Sequence, residues 1–241
     1  MTLTRFTKHP RLYVEQALGE NASPQLAATQ IHYLKNVLRL QNGEQVRFFN
    51  GQDGEWIGDI LSLGKKDAEF RLTAQTRPQP AAAGRVHLIF APIKKQRMDF
   101  LIEKAVELGV TDFHPVLTHH TEVRKINPER IAAQIMEAAE QCERLDMPTL
   151  HKLVPLADLL AKWDGRVKIT ACLEYYDAPH ISEISLGKDK AFIIGPAGGF
   201  EENEKEMIMS YTFAQAASLG ETLLRAETAA LKALSFIDRK S

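Results

Sequence analysis

Residues 76–85, TRPQPAAAGR, separate two lengths of chain with different hydrophobic rhythms. That change of rhythm limits the architecture more than any other feature. Two prolines and a run of small residues interrupt the periodic patterns on both sides, as a linker does. Upstream, EQVRFFNGQDGEWIGDIL carries two β-prone runs around a turn at Asn50–Gly54, a hairpin signal, and AEFRLTAQT alternates as a further strand. One short helix, IHYLKNVLR, sets Ile31, Leu34 and Leu38 on one side and leaves Lys35 and Arg39 free. Short strands over residues 1–75 predict a small β-barrel domain.

Downstream, over residues 82–241, strands alternate with helices. VHLIFAPI reads as a buried strand. The helix MDFLIEKAVELG follows, with Met98, Leu101, Ile102, Ala105 and Leu108 on one face and Gly109 as its stop. DFHPVL is the next strand. A longer helix begins at the cap Asn127 and Pro128, and its apolar stripe is Ile131, Ile135, Ala138, Cys142 and Leu145. VKITACLEY, AFIIG and AASLG predict three more strands, and AETAALKALSFI a closing helix. Alternation of this kind gives an α/β fold with a parallel sheet.

Charge and cysteine content narrow the class. The 241 residues are 44% hydrophobic and carry a net charge of −1, so no global basic excess advertises nucleic acid, although local patches remain open. Two separated cysteines, no leader-like N-terminus and no apolar run of membrane length lead to the expectation of a reduced, cytoplasmic protein with no membrane association.

FIIGPAGGF, residues 192–200, places a glycine-rich turn at the end of a predicted strand, where open α/β sheets bind ligands. It lacks GK[ST] and GxGxxG, so it matches neither phosphate loop. Glu201, Glu202 and Glu204 fall in the first turn of the next helix; they suit the helix dipole and would repel a phosphate. The glycines therefore serve either a tight turn with positive φ or the close approach of backbone to a ligand without phosphates. SLGETLLRAETAALKAL, residues 218–234, repeats the order of strand, glycine, irregular segment and helix, with Arg225 just before the helix. CLEY puts Glu174 at a third strand end. Together these ends predict a pocket for a small polar ligand.

GPAGGF followed by SLGETLLRAETA resembles the paired motifs of the SPOUT methyltransferases, with the RsmE type, which methylates N3 of a uridine in 16S rRNA, as the best match. FTKHPRLYV and IHYLKNVLRLQNGEQV are similar to that family's PUA-like RNA-binding domain, and KKQRMDFLIEKAVELGVTDFHPV and RIAAQIMEAAEQCERLDMP to its helical signatures. The resemblance implies a SPOUT-type α/β domain with a C-terminal trefoil knot, a homodimer, and S-adenosylmethionine (SAM) held in the knot. The implied SAM contacts are Leu173, Glu174, Ile194, Gly195, Gly199, Leu219, Gly220, Leu223, Leu224 and Thr228. Two departures from the pattern stand out: Ala197 in place of the usual glutamate, and THHTEVR in place of a more basic segment.

The implied reaction defines the candidate catalytic residues. Uridine N3 is a poor nucleophile until its proton leaves, so the enzyme must hold it in line with the SAM methyl and stabilise charge on the uracil carbonyls. Arg225 is assigned that second task, the alternative being a salt bridge to Glu227 or a helix carbonyl. Glu227 either supports Arg225, takes the proton, or is a helix-start acid. Arg144 ends a polar stripe through Gln134, Glu137 and Gln141 that either faces solvent or faces the pocket or a partner subunit. Cys142 and Cys172 are read as packing residues. The histidines, His119 and His120 included, show no zinc spacing, so no metal is expected. For RNA the candidate cations are Arg5, Arg11, Lys35, Arg39, Lys95, Arg97 and Arg124, with Lys8, Lys94 and Lys125 in the same clusters. The expected partner is 16S rRNA, within the small ribosomal subunit. The competing readings are a SPOUT enzyme with another RNA target, a doubly wound nucleotide-binding enzyme, and a non-catalytic RNA-binding assembly factor.

Overall fold

A computed structural model describes residues 9–81 and 83–237. The chain forms two compact units. One comprises residues 1–82 together with 139–147, and the other residues 83–138 and 148–241.

The first unit is a four-stranded sheet. Its strands are β1 (Arg11–Tyr13), β2 (Gln45–Phe49), β3 (Glu55–Leu63) and β4 (Ala68–Arg77), in that spatial order. β1 runs parallel to β2, and the other pairs are antiparallel. The β2–β3 hairpin turns where its sequence predicts. Asn50 Oδ1 accepts from the backbone N–H groups of Gln52 and Asp53 at 3.0 and 2.8 Å, and Gly54 sits at φ 76°. A Cβ at Gly54 would lie 2.2 Å from the Arg77 carbonyl, so no other residue fits that turn. No strand pair among the described residues closes this sheet into the expected barrel; at the free edge of β4, Asn21 N–H donates to Leu72 O at 2.9 Å and Leu72 N–H to Ala22 O at 3.0 Å.

Alternate residues of these strands fill one core, in which the Phe48 and Phe70 rings meet edge-on at 5.0 Å. Helix α1 (Ala28–His32) runs into a π-helical turn, Tyr33–Val37, and delivers Ile31 and Leu34 to that core. Leu38, expected alongside them, is 36% exposed, because the wider turn changes the phase after Leu34 and Arg39 ends the helix in the left-handed region at φ 57°.

Arg11, expected to face RNA, is instead structural in this unit. Arg11 is 6% exposed. Its guanidinium donates to Glu55 at 2.6 Å and to the carbonyls of Ala139 and Arg144 at 2.9 and 2.6 Å, and it stacks 3.6 Å above the Phe49 ring. Burial alone would raise the Glu55 carboxyl, but hydrogen bonds from Arg11 and Thr76 and the charges of Arg11 and Arg47 hold it below its ordinary value. Removing Arg11 would leave a buried, half-compensated carboxylate. Arg144 is also nearly covered, and its guanidinium binds Asp146 at 2.5 Å.

The second unit is an all-parallel sheet. It is built from β5 (Val86–Phe90), β6 (Asp112–Leu117), β7 (Thr149–Leu150), β8 (Val154–Pro155), β9 (Lys168–Cys172), β10 (Lys190–Ile194) and β11 (Ala214–Ala217). The order is β11-β9-β10-β5-β6-β7, with β8 also pairing β6. Near-continuous apolar strands such as VHLIF and AFII suit burial on both faces. Helix α2 (Lys95–Glu107) ends at Gly109, φ 92°, and buries Met98, Leu101, Ile102 and Ala105, while Leu108 is 38% exposed. Helix α3 (Pro128–Gln141) starts at Asn127, whose Oδ1 accepts from Arg130 N–H at 3.0 Å. Helices α4 (Leu156–Ala161) and α5 (Glu202–Met209) contribute Leu156, Leu160 and Ile208 to a cluster with Ile169, Ala171 and Ile193 of the sheet.

The C-terminal path positions the site. After β11 at the sheet edge, the chain crosses back so that α6 (Ala226–Leu234) packs on β10 and α2. The β9–β10 connection holds the crossing segment: Ser218 N–H donates to Pro179 O at 2.8 Å, and Ser218 O accepts from Ile181 N–H at 2.9 Å. A threaded, knotted C-terminus requires a return of this kind beneath the connection.

Candidate active site

The carboxyl ends of β9, β10 and β11 surround a cavity of about 470 Å³. The β9 end contributes Leu173, Glu174, Tyr175 and Tyr176; the β10 end Ile194, Gly195, Gly199 and Phe200; the β11 end Leu219, Gly220, Leu223 and Leu224. Nine of the ten residues expected at the cofactor are therefore brought together. Thr228 is not among them: it is exposed, and Ala226 and Ala229, three residues apart on one face of α6, line the cavity instead. Tyr175 and Tyr176, 90% and 37% exposed, stand at the mouth and carried no signal beyond the CLEY strand end.

The glycines have separate reasons. Gly199 and Gly220 lie at φ 73° and 103°, a region that L side chains enter at a cost of about 1–2 kcal/mol. Gly195 lies outside the positive-φ region but in tight space: a Cβ there would come within 3.0 and 3.1 Å of the buried Phe200 ring, which would have to shift. The positive φ read from the sequence thus operates at Gly199, while at Gly195 the constraint is the Phe200 ring packed against the loop. The acids after the loop close a capping box on α5, with Glu201 N–H donating to Glu204 at 3.0 Å. Glu174 is half-buried in the cavity wall; burial raises its carboxyl above the ordinary value while Lys205 pulls the other way. The cavity wall is thus apolar and acidic, with no basic side chain lining it, which suits a cationic or neutral ligand far better than a phosphate.

The two departures from the family pattern are neighbours. The His120 ring lies against Gly198, next to Ala197, with Nδ1 3.3 Å from Gly199 O and Nε2 2.8 Å from Glu201. His119 N–H donates to Glu204 at 2.9 Å.

Arg225 is the N-cap residue of α6. It is exposed, with no side-chain partner among the described residues, so neither the salt bridge to Glu227 nor a bond to a helix carbonyl forms. Its neighbours Leu224 and Ala226 line the cavity. Glu227 is buried; one carboxylate oxygen lies 3.7 Å from Arg97 Nε and the other has no partner. Arg97 is thereby drawn from the RNA group toward the α6 start. Arg144, the third catalytic candidate, belongs to the other compact unit, and its guanidinium is engaged with Asp146. Of the remaining RNA candidates, Lys35 donates to Leu63 O at 2.7 Å, Arg39, Lys95 and Arg124 are exposed, and Arg5, with Lys8, lies outside the described residues.

Cys172 is buried and its thiol is pushed up to about 12, which makes it inert, while Cys142 is only partly covered. One cluster had no sequence signal, because its members come from separate elements. His87 Nδ1 and His114 Nε2 are 3.0 Å apart, His114 stacks on His151 at 3.9 Å, and His151 lies 2.8 Å from Asp112. Asp112 is also bound by Arg85 and Thr111. His87, Asp112 and His114 place donor atoms within 4.8 Å of one another, a grouping their spacing in the chain does not suggest. No helix among the described residues is long and apolar enough to cross a membrane.

Comparison with known proteins places this geometry. A family model for an RNA methyltransferase domain matches residues 80–238, and one for an RNA methyltransferase PUA domain matches residues 26–73. Ribosomal RNA small subunit methyltransferase E of Rickettsia conorii is 35% identical over 232 residues, covering 95% of this chain and 94% of that protein. The protein of the same name from Synechocystis is 30% identical, covering 95% and 77%. Among solved structures, ribosomal RNA small subunit methyltransferase E from Neisseria gonorrhoeae, bound to SAM, superposes with a TM-score of 0.85 at 26% identity over 94% and 95% of the two chains. A Legionella pneumophila methyltransferase structure with bound SAM gives the same TM-score at 28% identity over 95% and 96%. With matches that run through both the sheet domain and the strand-rich N-terminal unit, the chain belongs to the RNA methyltransferase family that includes ribosomal RNA small subunit methyltransferase E.

Proposed function

We propose that this protein transfers a methyl group from SAM to N3 of a uridine in 16S rRNA of the small ribosomal subunit. The observation that carries the reading is the cavity at the ends of β9, β10 and β11: two glycine loops, three acidic side chains (Glu174, Asp177 and Glu221) and apolar walls, without, among the described residues, the basic groups a nucleotide phosphate needs. SAM carries a sulfonium and an ammonium and no phosphate, so it suits such walls. Leu173, Glu174, Ile194, Gly195, Gly199, Leu219, Gly220, Leu223 and Leu224 would hold it. The relatives' names support the rRNA substrate, and the two SAM-bound neighbours support the cofactor.

The residues of this chain divide the remaining work. Loss of the N3 proton spreads negative charge over O2 and O4 of the uracil. Arg225, exposed and unpartnered at the cavity edge, is positioned to donate a pair of hydrogen bonds to a carbonyl as that charge grows. Glu227, with one free buried oxygen, is the group at the start of α6 with spare acceptor capacity for the proton or for holding Arg225. The same reading carries a homodimer and a knotted C-terminus. Incubating the protein with methyl-labelled SAM and isolated small or large ribosomal subunits tests the proposal. Label should enter 16S rRNA alone. Label in another RNA would favour a related enzyme with a different target, and binding of particles without transfer would favour an assembly factor.

A further inference from the structure

The loops that follow β6 and β7 leave a groove of about 390 Å³ in the second unit, with Arg124, Lys125, His151 and Lys152 in its walls and no acidic residue among them. Arg124, Lys125 and Lys152 are exposed and have no hydrogen bond or ion pair among the described residues. Of the acids nearby, Glu129 at the start of α3 is exposed without an ion pair among the described residues, and two others are engaged. Glu122 is paired with Lys94 at 3.3 Å, and Asp112, which holds His151, is saturated by Arg85 and Thr111. Three unpaired cations around one depression repel one another, and a polyanion laid along it would relieve that repulsion.

The groove opens on the same carboxyl edge of the sheet as the cofactor cavity. Arg124 also lines a second depression of about 320 Å³, whose far wall is His119, Asn203 and Glu204. His119 is bonded to Glu204, and His120 to Gly199 O, the residue that lines the cavity rim. The cations, the His119–His120 turn with its partners Glu201 and Glu204, and the pocket therefore follow one another along the carboxyl edge of the sheet.

We infer that this edge is the path of the substrate RNA, with its sugar-phosphate backbone held on Arg124, Lys125 and Lys152 and kept clear of Glu201 and Glu204, beside the pocket that takes the target nucleotide. The inference rests on the methyltransferase reading and adds where the RNA runs. Contacts of this type fix position without reading sequence. Each phosphate neutralised contributes about 0.7–0.9 to the slope of log affinity against log salt.

The test is the triple variant Arg124→Ala/Lys125→Ala/Lys152→Ala, with affinity for a 16S rRNA fragment measured between about 50 and 200 mM salt. The slope should fall by about 2–3 and affinity at low salt should drop at least tenfold, with SAM affinity and melting temperature retained. Lys152→Glu alone should weaken RNA binding more than Lys152→Ala. An unchanged slope and affinity would overturn the inference, and so would a parallel loss of SAM binding and stability, which would make these cations structural. Methyl transfer by the unaltered protein is measured in the same samples. Transfer with an unchanged slope in the variant refutes the path alone, whereas a reduced slope without any transfer refutes the proposed function and leaves the path standing.

Discussion

Gly195→Ala adds a single methyl group, and the structure sets its cost. The new Cβ would lie 3.0, 3.1 and 3.5 Å from three carbons of the Phe200 ring, and the first two are tight enough that the ring must give by a few tenths of an ångström. Phe200 is 8% exposed and belongs to a cluster with Leu173, Ile193, Ile208 and Phe213, so the ring cannot retreat inward. Its free direction is the cavity it already lines. Overpacking of this kind costs about 1–3 kcal/mol. If the ring moves into the cavity, that cost appears as lost affinity, about 5- to 150-fold at about 1.4 kcal/mol per tenfold. Calorimetric titration of SAM into Gly195→Ala should show this loss while the protein stays folded. Phe200→Leu removes the ring carbons that clash, so Gly195→Ala/Phe200→Leu should bind SAM more tightly than Gly195→Ala alone. Wild-type affinity in Gly195→Ala, or no recovery in the double variant, would refute the argument that the loop and ring shape the cofactor site.

Arg225→Ala should lower kcat by about a hundredfold, the scale of one lost oxyanion donor, with SAM affinity little changed in parallel titrations; a matching loss of SAM affinity would move Arg225 into the cofactor pocket. The protein should scatter light as a dimer at micromolar concentration, and a monomer there would contradict the family-based assembly. Acid should weaken the fold through the histidine cluster. Burial lowers His87, and lowers His114 from 6.5 to about 3, so the unfolded chain binds more protons between those values. This stability is present above pH 6.5 and is lost as pH falls toward 3. From pH 7.5 to 5.5 the His114 share is about 1.4 kcal/mol, and urea midpoints of wild type against His114→Phe should show it as a shallower pH dependence in the variant.

How much the chain disclosed depended on the range of each interaction. The β2–β3 hairpin, the parallel strands and both glycine loops were legible because their causes lie within a few residues: an Asx turn, apolar runs, positive φ. Helix phase was legible to within one turn, which suffices for Met98 and Leu101 but not at ends, where Leu38 and Leu108 swing outward and Ala226 and Ala229 replace Thr228 at the cavity. Arg11 shows the opposite limit. It looks like any surface arginine until residues more than a hundred positions away are known to supply the carbonyls around it. The His87–Asp112–His114–His151 cluster was hidden for the same reason, since β5, β6 and the segment after β7 meet only in the sheet. The π-helical turn at Tyr33–Val37 has no sequence mark that we can identify.

The central claim is the site of methylation on the base. Purified protein, SAM and small ribosomal subunits are incubated, the 16S rRNA is digested to nucleosides, and the methylated product is identified by chromatography and mass spectrometry against authentic standards. The account predicts 3-methyluridine, formed in proportion to SAM consumed and greatly reduced with Arg225→Ala. Methyl groups found on uracil C5, on a ribose hydroxyl or on another base, with no 3-methyluridine, would contradict it.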